Sequence, residues 1–147
     1  MPDLATNKKA LFDYDILEKF EAGLVLTGPE VKSVKDGQIN LKGAYVTFHK
    51  NEGYLLNAYI APYKPAGPRP DYDPYMSRKV LLHGKELRYL QGKSEEKALT
   101  IVPIRVYTKN RLVKVEIAVG RGRKSYDKRD VIKKRDLDKE LRRDLKI

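Results

Sequence analysis

Ala98-Leu-Thr-Ile-Val-Pro-Ile-Arg-Val-Tyr107 and Leu112-Val-Lys-Val-Glu-Ile-Ala-Val119 decide the fold. Both stretches are rich in β-branched residues, and Thr108-Lys-Asn-Arg111 lies between them, the pattern of a β-hairpin. In the second arm Leu112, Lys114, Glu116 and Ala118 fall on one face, and Val113, Val115, Ile117 and Val119 on the other. That period of two buries one side of a sheet. Pro103 has no backbone N–H to give to a ladder, so it predicts a bulge or an edge position in the first arm.

Upstream, Tyr14, Ile16 and Phe20 share a parity opposite to the charged Asp13, Asp15 and Lys19, which predicts a half-buried strand running on through Leu26. Gly23 inside it predicts a bulge or bend. Thr27-Gly-Pro-Glu30 has the spacing of a capping box, with Val31 and Val34 on one face of a short helix that Gly37 closes. Ala44–Lys50 and Tyr54–Ile60 read as paired strands around Asn51-Glu-Gly53. Five prolines between Pro62 and Pro74 make that stretch a long surface loop. Ser77–Leu82 leads into a second helix, with His83 as its cap, Glu86 three residues later and Leu87 and Leu90 as its apolar stripe. Met1–Lys9 reads as a loose start. Five or six antiparallel strands with short helices predict a mainly β fold: an oligonucleotide-binding-like barrel, which closes its own edges. An open four-stranded sheet with two packed helices is the alternative.

Downstream the composition changes. Residues 1–120 are read as the body and 121–147 as a basic C-terminal tail, with two glycines, Gly120 and Gly122, at the junction. From Val119 to Ile147 there are 12 Lys/Arg against 6 Asp/Glu, in a chain of net charge +11, so the tail concentrates the excess charge. Val131 or Ile132, Leu137, Leu141 and Leu145 step at helical spacing. With so few apolar and so many like-charged residues, this helix is expected to need a partner, the tail being disordered when free.

A chain of 147 residues makes one domain. Its basic balance points to a polyanion, nucleic acid before membrane. No apolar run is long enough to cross a bilayer, the N-terminus is not a signal peptide, and the absence of cysteine suits a reducing cytoplasm. Enzyme chemistry has little support. His49 and His83 sit in unrelated elements without metal-ligand spacing, so no metal or cofactor is expected. Asp13, Asp15, Glu18 and Glu21 could hold Mg²⁺ as in a nuclease, but read better as the solvent face of an edge strand. Gly120-Arg-Gly122 lacks the βαβ unit of a phosphate loop. Lys8, Lys9, Lys32, Lys35, Lys114 and the tail supply charge, and Tyr14, Tyr45, Tyr59 and Tyr107 supply rings, the makings of an RNA-binding surface.

Asn7-Lys-Lys-Ala10, Tyr14-Asp-Ile16, Phe20-Glu-Ala-Gly-Leu24, Gly28-Pro-Glu-Val-Lys-Ser33, Arg78-Lys-Val-Leu-Leu-His83, Val102-Pro103, Val113-Lys-Val115 and Tyr126-Asp-Lys-Arg129 occur in that order. In this the chain resembles the SsrA-binding protein family (small protein B). The resemblance implies a barrel of oligonucleotide-binding type and a bacterial, cytoplasmic function. That function is binding the tRNA-like domain of transfer-messenger RNA and delivering it, with elongation factor Tu, to stalled ribosomes for peptide tagging and ribosome rescue. It implies that Glu21 serves RNA binding, with Asn7, Tyr14, Tyr45, Leu81, His83 and Lys114 on the same RNA-facing surface. It also implies that Arg121, Arg123, Lys124, Tyr126, Asp127, Lys128, Arg129, Lys133, Lys134 and Arg135 act in the decoding centre and empty mRNA channel of the small ribosomal subunit. There the basic side chains would meet rRNA phosphates, and Tyr126, where several members have His, would stack on a base. The chain departs from the family at Tyr75-Met-Ser77, where more arginine is usual, at Val80, which replaces Leu, and at Ala98, which replaces Gly.

Overall fold

In the computed structural model, which describes residues 3–123, β8 (Leu99–Lys109) and β9 (Leu112–Gly122) form the expected hairpin. They pair from Leu99↔Arg121 to Lys109↔Leu112. Asn110 and Arg111 turn the chain with φ of 52° and 67°, the double positive φ that matches the twist of a two-residue hairpin. The register slips between Pro103 and Arg105, so the residue lacking an N–H sits at a bulge, as its chemistry requires.

The other elements, in chain order, are β1 (Asp3–Thr6), α1 (Lys8–Asp13), β2 (Tyr14–Leu24), α2 (Gly28–Lys35), β3 (Ile39–Asn40), β4 (Tyr45–His49), β5 (Glu52–Leu56), β6 (Tyr59–Ile60), β7 (Arg78–Leu81) and α3 (Gly84–Ser94). The far edge of β9 takes β2, β2 takes β7, β7 takes β5, β5 takes β4, and β4 returns to β8 at Val46↔Ile101. Six antiparallel strands therefore pair in a closed ring, with β1 added to β8 and a two-stranded β3–β6 sheet beside it. This is the mainly β, oligonucleotide-binding-like architecture, and the open four-stranded sheet is set aside. The ring encloses Val34, Leu55, Ile60, Leu90, Ile101, Val106, Val115 and Ile117. A smaller cluster, Ala10, Val102, Ile104 and Ala118, lies under α1 with Leu11, Tyr14 and Ile16 packed on it.

Several local expectations are corrected. The loose start is instead β1, paired to β8 at Asp3↔Tyr107 and Thr6↔Arg105, followed by α1. The bend of β2 is not at Gly23 but between Ile16 and Glu18, where the register with β9 shifts. Gly23 instead lies regularly paired opposite Leu81, where an added Cβ would reach the Leu81 side chain at 3.4 Å, about ordinary van der Waals contact. The Tyr54–Ile60 strand breaks at Asn57, whose φ is 62°, and Arg78–Leu81 is a strand rather than a lead into the helix. His83 stands at the N-cap of α3 but its side chain makes no cap bond. The capping box of α2 is present as read, with Thr27 and Glu30 exchanging backbone-to-side-chain bonds at 3.0 and 3.4 Å. β9 continues through Arg121 and Gly122, and Arg123 is fixed to the body by its N–H on the Asp13 carbonyl (2.9 Å).

One buried ionic knot ties the long loop to the ring. The Arg78 guanidinium donates to Glu30 Oε2 through Nε (2.8 Å) and Nη2 (2.7 Å), to the Ala58 and Pro74 carbonyls through Nη1 (both 2.8 Å), and to the Tyr72 hydroxyl (3.0 Å). Tyr72 in turn donates to the Ile60 carbonyl (2.8 Å). The proline-rich loop is thus pinned at Tyr72 and Pro74, with one 3₁₀ turn at Lys64–Ala66.

Gly53 on β5 faces Val80 on β7 so closely that a Cβ would sit 2.8 Å from Val80 Cγ2. Gly53→Ala is expected to destabilise the body by about 1–3 kcal/mol, the usual range for overpacking, read as a lower urea midpoint with unchanged slope. An unchanged midpoint would show that β5 and β7 can separate without loss.

Candidate nucleic-acid interface

Strand pairing puts the expected site residues into rows, because directly opposed residues of an antiparallel sheet project from the same face. One row crosses four strands as Leu81, Gly23, Lys114 and Tyr107, and ends on Asp3 of β1. The next row is Glu21, Glu116 and Arg105. Their neighbours Ala22, Val115 and Val106 point into the core, so these rows form the outer face of the ring. Leu81, Glu21 and Lys114, separated in sequence by up to ninety-odd residues, therefore share one surface.

Two carboxylates, Glu21 and Glu116, face each other across β2 and β9, a repulsive arrangement if left alone. Each is answered by its own cations. Glu116 meets Arg105 (3.4 Å) and Lys19 (3.9 Å), and Arg105 also reaches Asp3 (2.8 Å). Glu21 accepts from the Tyr107 hydroxyl through Oε2 and meets Lys109 through Oε1 at 3.4 Å. The Tyr107 bond, followed by Lys109 and the nearby Lys114, holds the Glu21 carboxyl below the usual carboxylate range. Burial, then the Glu21 bond and charge, pushes the Tyr107 hydroxyl up to about 12. Glu21 is thus a charged acceptor on an exposed surface, and Tyr107 a fixed donor at neutral pH. Exposed ion pairs of this kind add little stability, and their effect here is to fix side-chain directions.

Tyr107 is not the open ring face that the sequence suggests. The Arg105 guanidinium lies 4.3 Å over its ring and the residue is 3% exposed. Its role is to orient Glu21, a partnership that sequence reasoning missed. The signal was present as parity: Tyr107 and Lys114 sit opposite one another as soon as the hairpin is registered on its two-residue turn.

Asn7, Tyr14 and Tyr45 come together elsewhere on the surface, lining a cleft of about 230 Å³ with Lys9 and Thr100. Along β2, Tyr14 stands about 23 Å from Glu21 by strand rise. Asn7 is buried and offers no free donor. Its amide donates to the Leu41 (3.1 Å) and Pro103 (2.9 Å) carbonyls, while its Oδ1 accepts from the Ala10 N–H (3.1 Å) as the cap of α1. Asn7 therefore shapes the cleft from behind, and Tyr14, Tyr45 and Lys9 face it. His83 is exposed at the end of β7, two residues past Leu81.

The carboxylates grouped in the sequence diverge: Asp13 pairs with Lys9 (3.2 Å), Asp15 with Arg123 (3.0 Å), Glu18 accepts from Tyr89 (2.7 Å), and Glu21 from Tyr107. Among the described residues no three His, Cys, Asp or Glu side chains gather as a metal site. Of the expected tail residues, Arg121 is exposed on β9 opposite Asp15, and Arg123 binds that same residue's carboxylate. Lys124, Tyr126, Asp127, Lys128, Arg129, Lys133, Lys134 and Arg135 lie outside the described residues, as does the amphipathic spacing beyond them.

Comparison with known proteins gives a consistent picture. A family model described as SmpB protein matches residues 4–147. A protein of Sulfurihydrogenibium sp. named SsrA-binding protein is 53% identical over 143 residues, covering 97% of this chain and 93% of the relative. Another of that name from Rubrobacter xylanophilus is 50% identical over 146 residues, 99% and 97% of the two chains. Among solved structures, a chain described under "tmRNA-SmpB: a journey to the center of the bacterial ribosome" superposes with a TM-score of 0.69 at 45% identity, covering 82% of this chain and 85% of that one.

Proposed function

Because the chain belongs to the SmpB protein family, we propose that it binds the tRNA-like domain of transfer-messenger RNA and brings it to stalled bacterial ribosomes for peptide tagging and ribosome rescue. The observation that carries the reading, beside family membership, is the outer-face surface on which Glu21, Lys114 and Leu81 converge although they lie on three different strands. A carboxylate held in its charged form can accept from base N–H groups, and a flanking lysine can meet a phosphate. The cleft of Tyr14, Tyr45 and Lys9 supplies rings and a cation at a second contact, with His83 beside the first. The role is binding and positioning, with no catalytic residue, cofactor or metal, and its place is the cytoplasm. Among the described residues no helix is long and apolar enough to cross a membrane.

The division of labour follows the chain. The body holds the RNA. The segment beyond it meets small-subunit rRNA in the empty mRNA channel: Lys124, Lys128, Arg129, Lys133, Lys134 and Arg135, with Arg121 and Arg123 at its root, contact phosphates, and Tyr126 beside Asp127 stacks on a base. Elongation factor Tu joins the delivery complex.

The test compares three RNAs at two salt concentrations: the tRNA-like domain of transfer-messenger RNA, an ordinary tRNA and an unrelated hairpin. A preference for the first that survives higher salt is expected. Glu21→Ala should weaken that binding by about tenfold or more, as for loss of a hydrogen bond to a charged group, while the melting temperature stays within a few degrees. Equal binding of all three that collapses with salt would mean generic phosphate attraction. A large fall in melting temperature would make Glu21 structural.

A further inference from the structure

Four of the nine tyrosine hydroxyls among the described residues have fixed partners: Tyr54 donates to Glu52, Tyr72 to the Ile60 carbonyl, Tyr89 to Glu18 and Tyr107 to Glu21. Tyr59 and Tyr75 differ. Their rings pack against each other at 5.2 Å and 55°, and neither hydroxyl has a partner among the described residues. Tyr75 is 56% exposed, one of the most exposed large side chains of the body. Beside the pair, Lys42 and Asn40 complete a cleft of about 340 Å³, at the small end of ordinary ligand sites. The Lys42 ammonium is exposed and has no carboxylate partner among the described residues.

This exposed ring is held from below. Asp73 Oδ1 accepts from the Tyr75 N–H (2.9 Å), the Asp73 carbonyl from the Met76 N–H (3.1 Å), and the Pro74 carbonyl from both the Ile60 N–H (3.1 Å) and buried Arg78 (2.8 Å). Tyr59 is fixed opposite Asn40 in the β3–β6 ladder. Asn40 Oδ1 accepts from the Lys42 N–H (2.9 Å), which leaves its amide N–H groups for a ligand. A rigidly mounted aromatic with an open face, a neighbouring unpaired cation and a free amide donor are the components that take a stacked base and its phosphate.

We propose that Tyr75, Tyr59, Lys42 and Asn40 form a separate RNA subsite that takes one unpaired nucleotide, its base on the Tyr75 ring and its phosphate on Lys42. It sits on the two-stranded sheet, apart from the ring strands that carry Glu21. The proposal rests on the reading of the chain as an RNA-binding protein and adds a site to it. Tyr75 opens the Tyr75-Met-Ser77 stretch, where the resembled family usually has more arginine, so stacking is what this chain offers there.

The experiment measures binding of the full chain to a decamer of uridine and to an abasic decamer of the same charge. Phosphate contacts made anywhere else on the chain contribute to both, so the ratio isolates base stacking. Tyr75→Ala is expected to lower that ratio by about fivefold or more, and Tyr75→Phe to keep it. Lys42→Ala should weaken both strands alike and make the salt slope shallower by about one. Photo-crosslinking of a 4-thiouridine decamer should map to Tyr75 or Tyr59. An unchanged ratio in Tyr75→Ala, or crosslinks confined to residues beyond Arg123, overturns the subsite. Binding of the tRNA-like domain by the unaltered protein, measured in parallel, tests the proposed function alone: its failure leaves the base-to-abasic ratio readable.

Discussion

Arg78→Ala is expected to destabilise the body by about 3–5 kcal/mol, the range for removing one partner of a buried ion pair, and to lower its melting temperature by roughly 10–20 °C. The two side chains of the pair are only 1% and 4% exposed, so the deletion leaves the Glu30 carboxylate buried without its cation. It also frees the Ala58 and Pro74 carbonyls and the Tyr72 hydroxyl, which together anchor the proline-rich loop. The pair itself is worth much less than its breaking costs, because both ions were desolvated to form it. Replacing both partners with apolar residues of similar volume, Arg78→Met with Glu30→Leu, should therefore recover most of the loss. Thermal and urea unfolding of the two variants reads this directly. A single variant within about 1 kcal/mol of the unaltered protein would mean that water reaches the site and stabilises the carboxylate. Within the Arg78–His83 motif, then, the arginine acts through stability, while Leu81 and His83 stand exposed.

Truncation after Ser125 is expected to abolish peptide tagging on a message without a stop codon while changing affinity for the tRNA-like domain by no more than a few-fold. The cut removes nine Lys/Arg and six Asp/Glu, so the protein keeps most of its net charge of +11 and most of its general attraction to RNA. It also spares Arg123, whose side chain and N–H fasten the end of β9 to Asp15 and Asp13. A reconstituted translation assay reports tagging, and a filter or fluorescence assay reports RNA affinity. If the shortened protein also lost the RNA, body and tail would not divide the work as proposed.

The parts of this fold that the sequence made legible are those governed by local rules. Period-two alternation located β2 and β9, β-propensity and turn punctuation located β4, β5 and β8, Pro103 marked its bulge, and the Thr27–Glu30 spacing marked its capping box. Elements set by partners distant in sequence were not legible. β7 opens on Arg78-Lys79, which reads as polar until Glu30, 48 residues away, is seen to neutralise the arginine. β1 and α1 are four and six residues long, too short for periodicity to register. The Asn7 cap of α1 was the one local clue to that region. For the interface, family resemblance supplied the names of the residues and the strand register supplied their meaning. Glu21, Lys114 and Leu81 share a face, whereas Asn7 is consumed by the backbone and Tyr107 is covered by Arg105.

The seam between β2 and β9 joins residues roughly a hundred positions apart, from Tyr14↔Gly122 to Gly23↔Lys114. Closing so long a loop is entropically unfavourable, and no local contact repays it until β9 is in place. While the chain is being made, β2 therefore emerges early and waits with an open edge through the synthesis of two helices, α2 and α3, and six further strands. The ring cannot close before β9, its last strand, has been made. During that interval the unpaired edge of β2 is guarded by its own charges, Asp15, Glu18, Lys19 and Glu21, which discourage pairing with a neighbouring nascent chain.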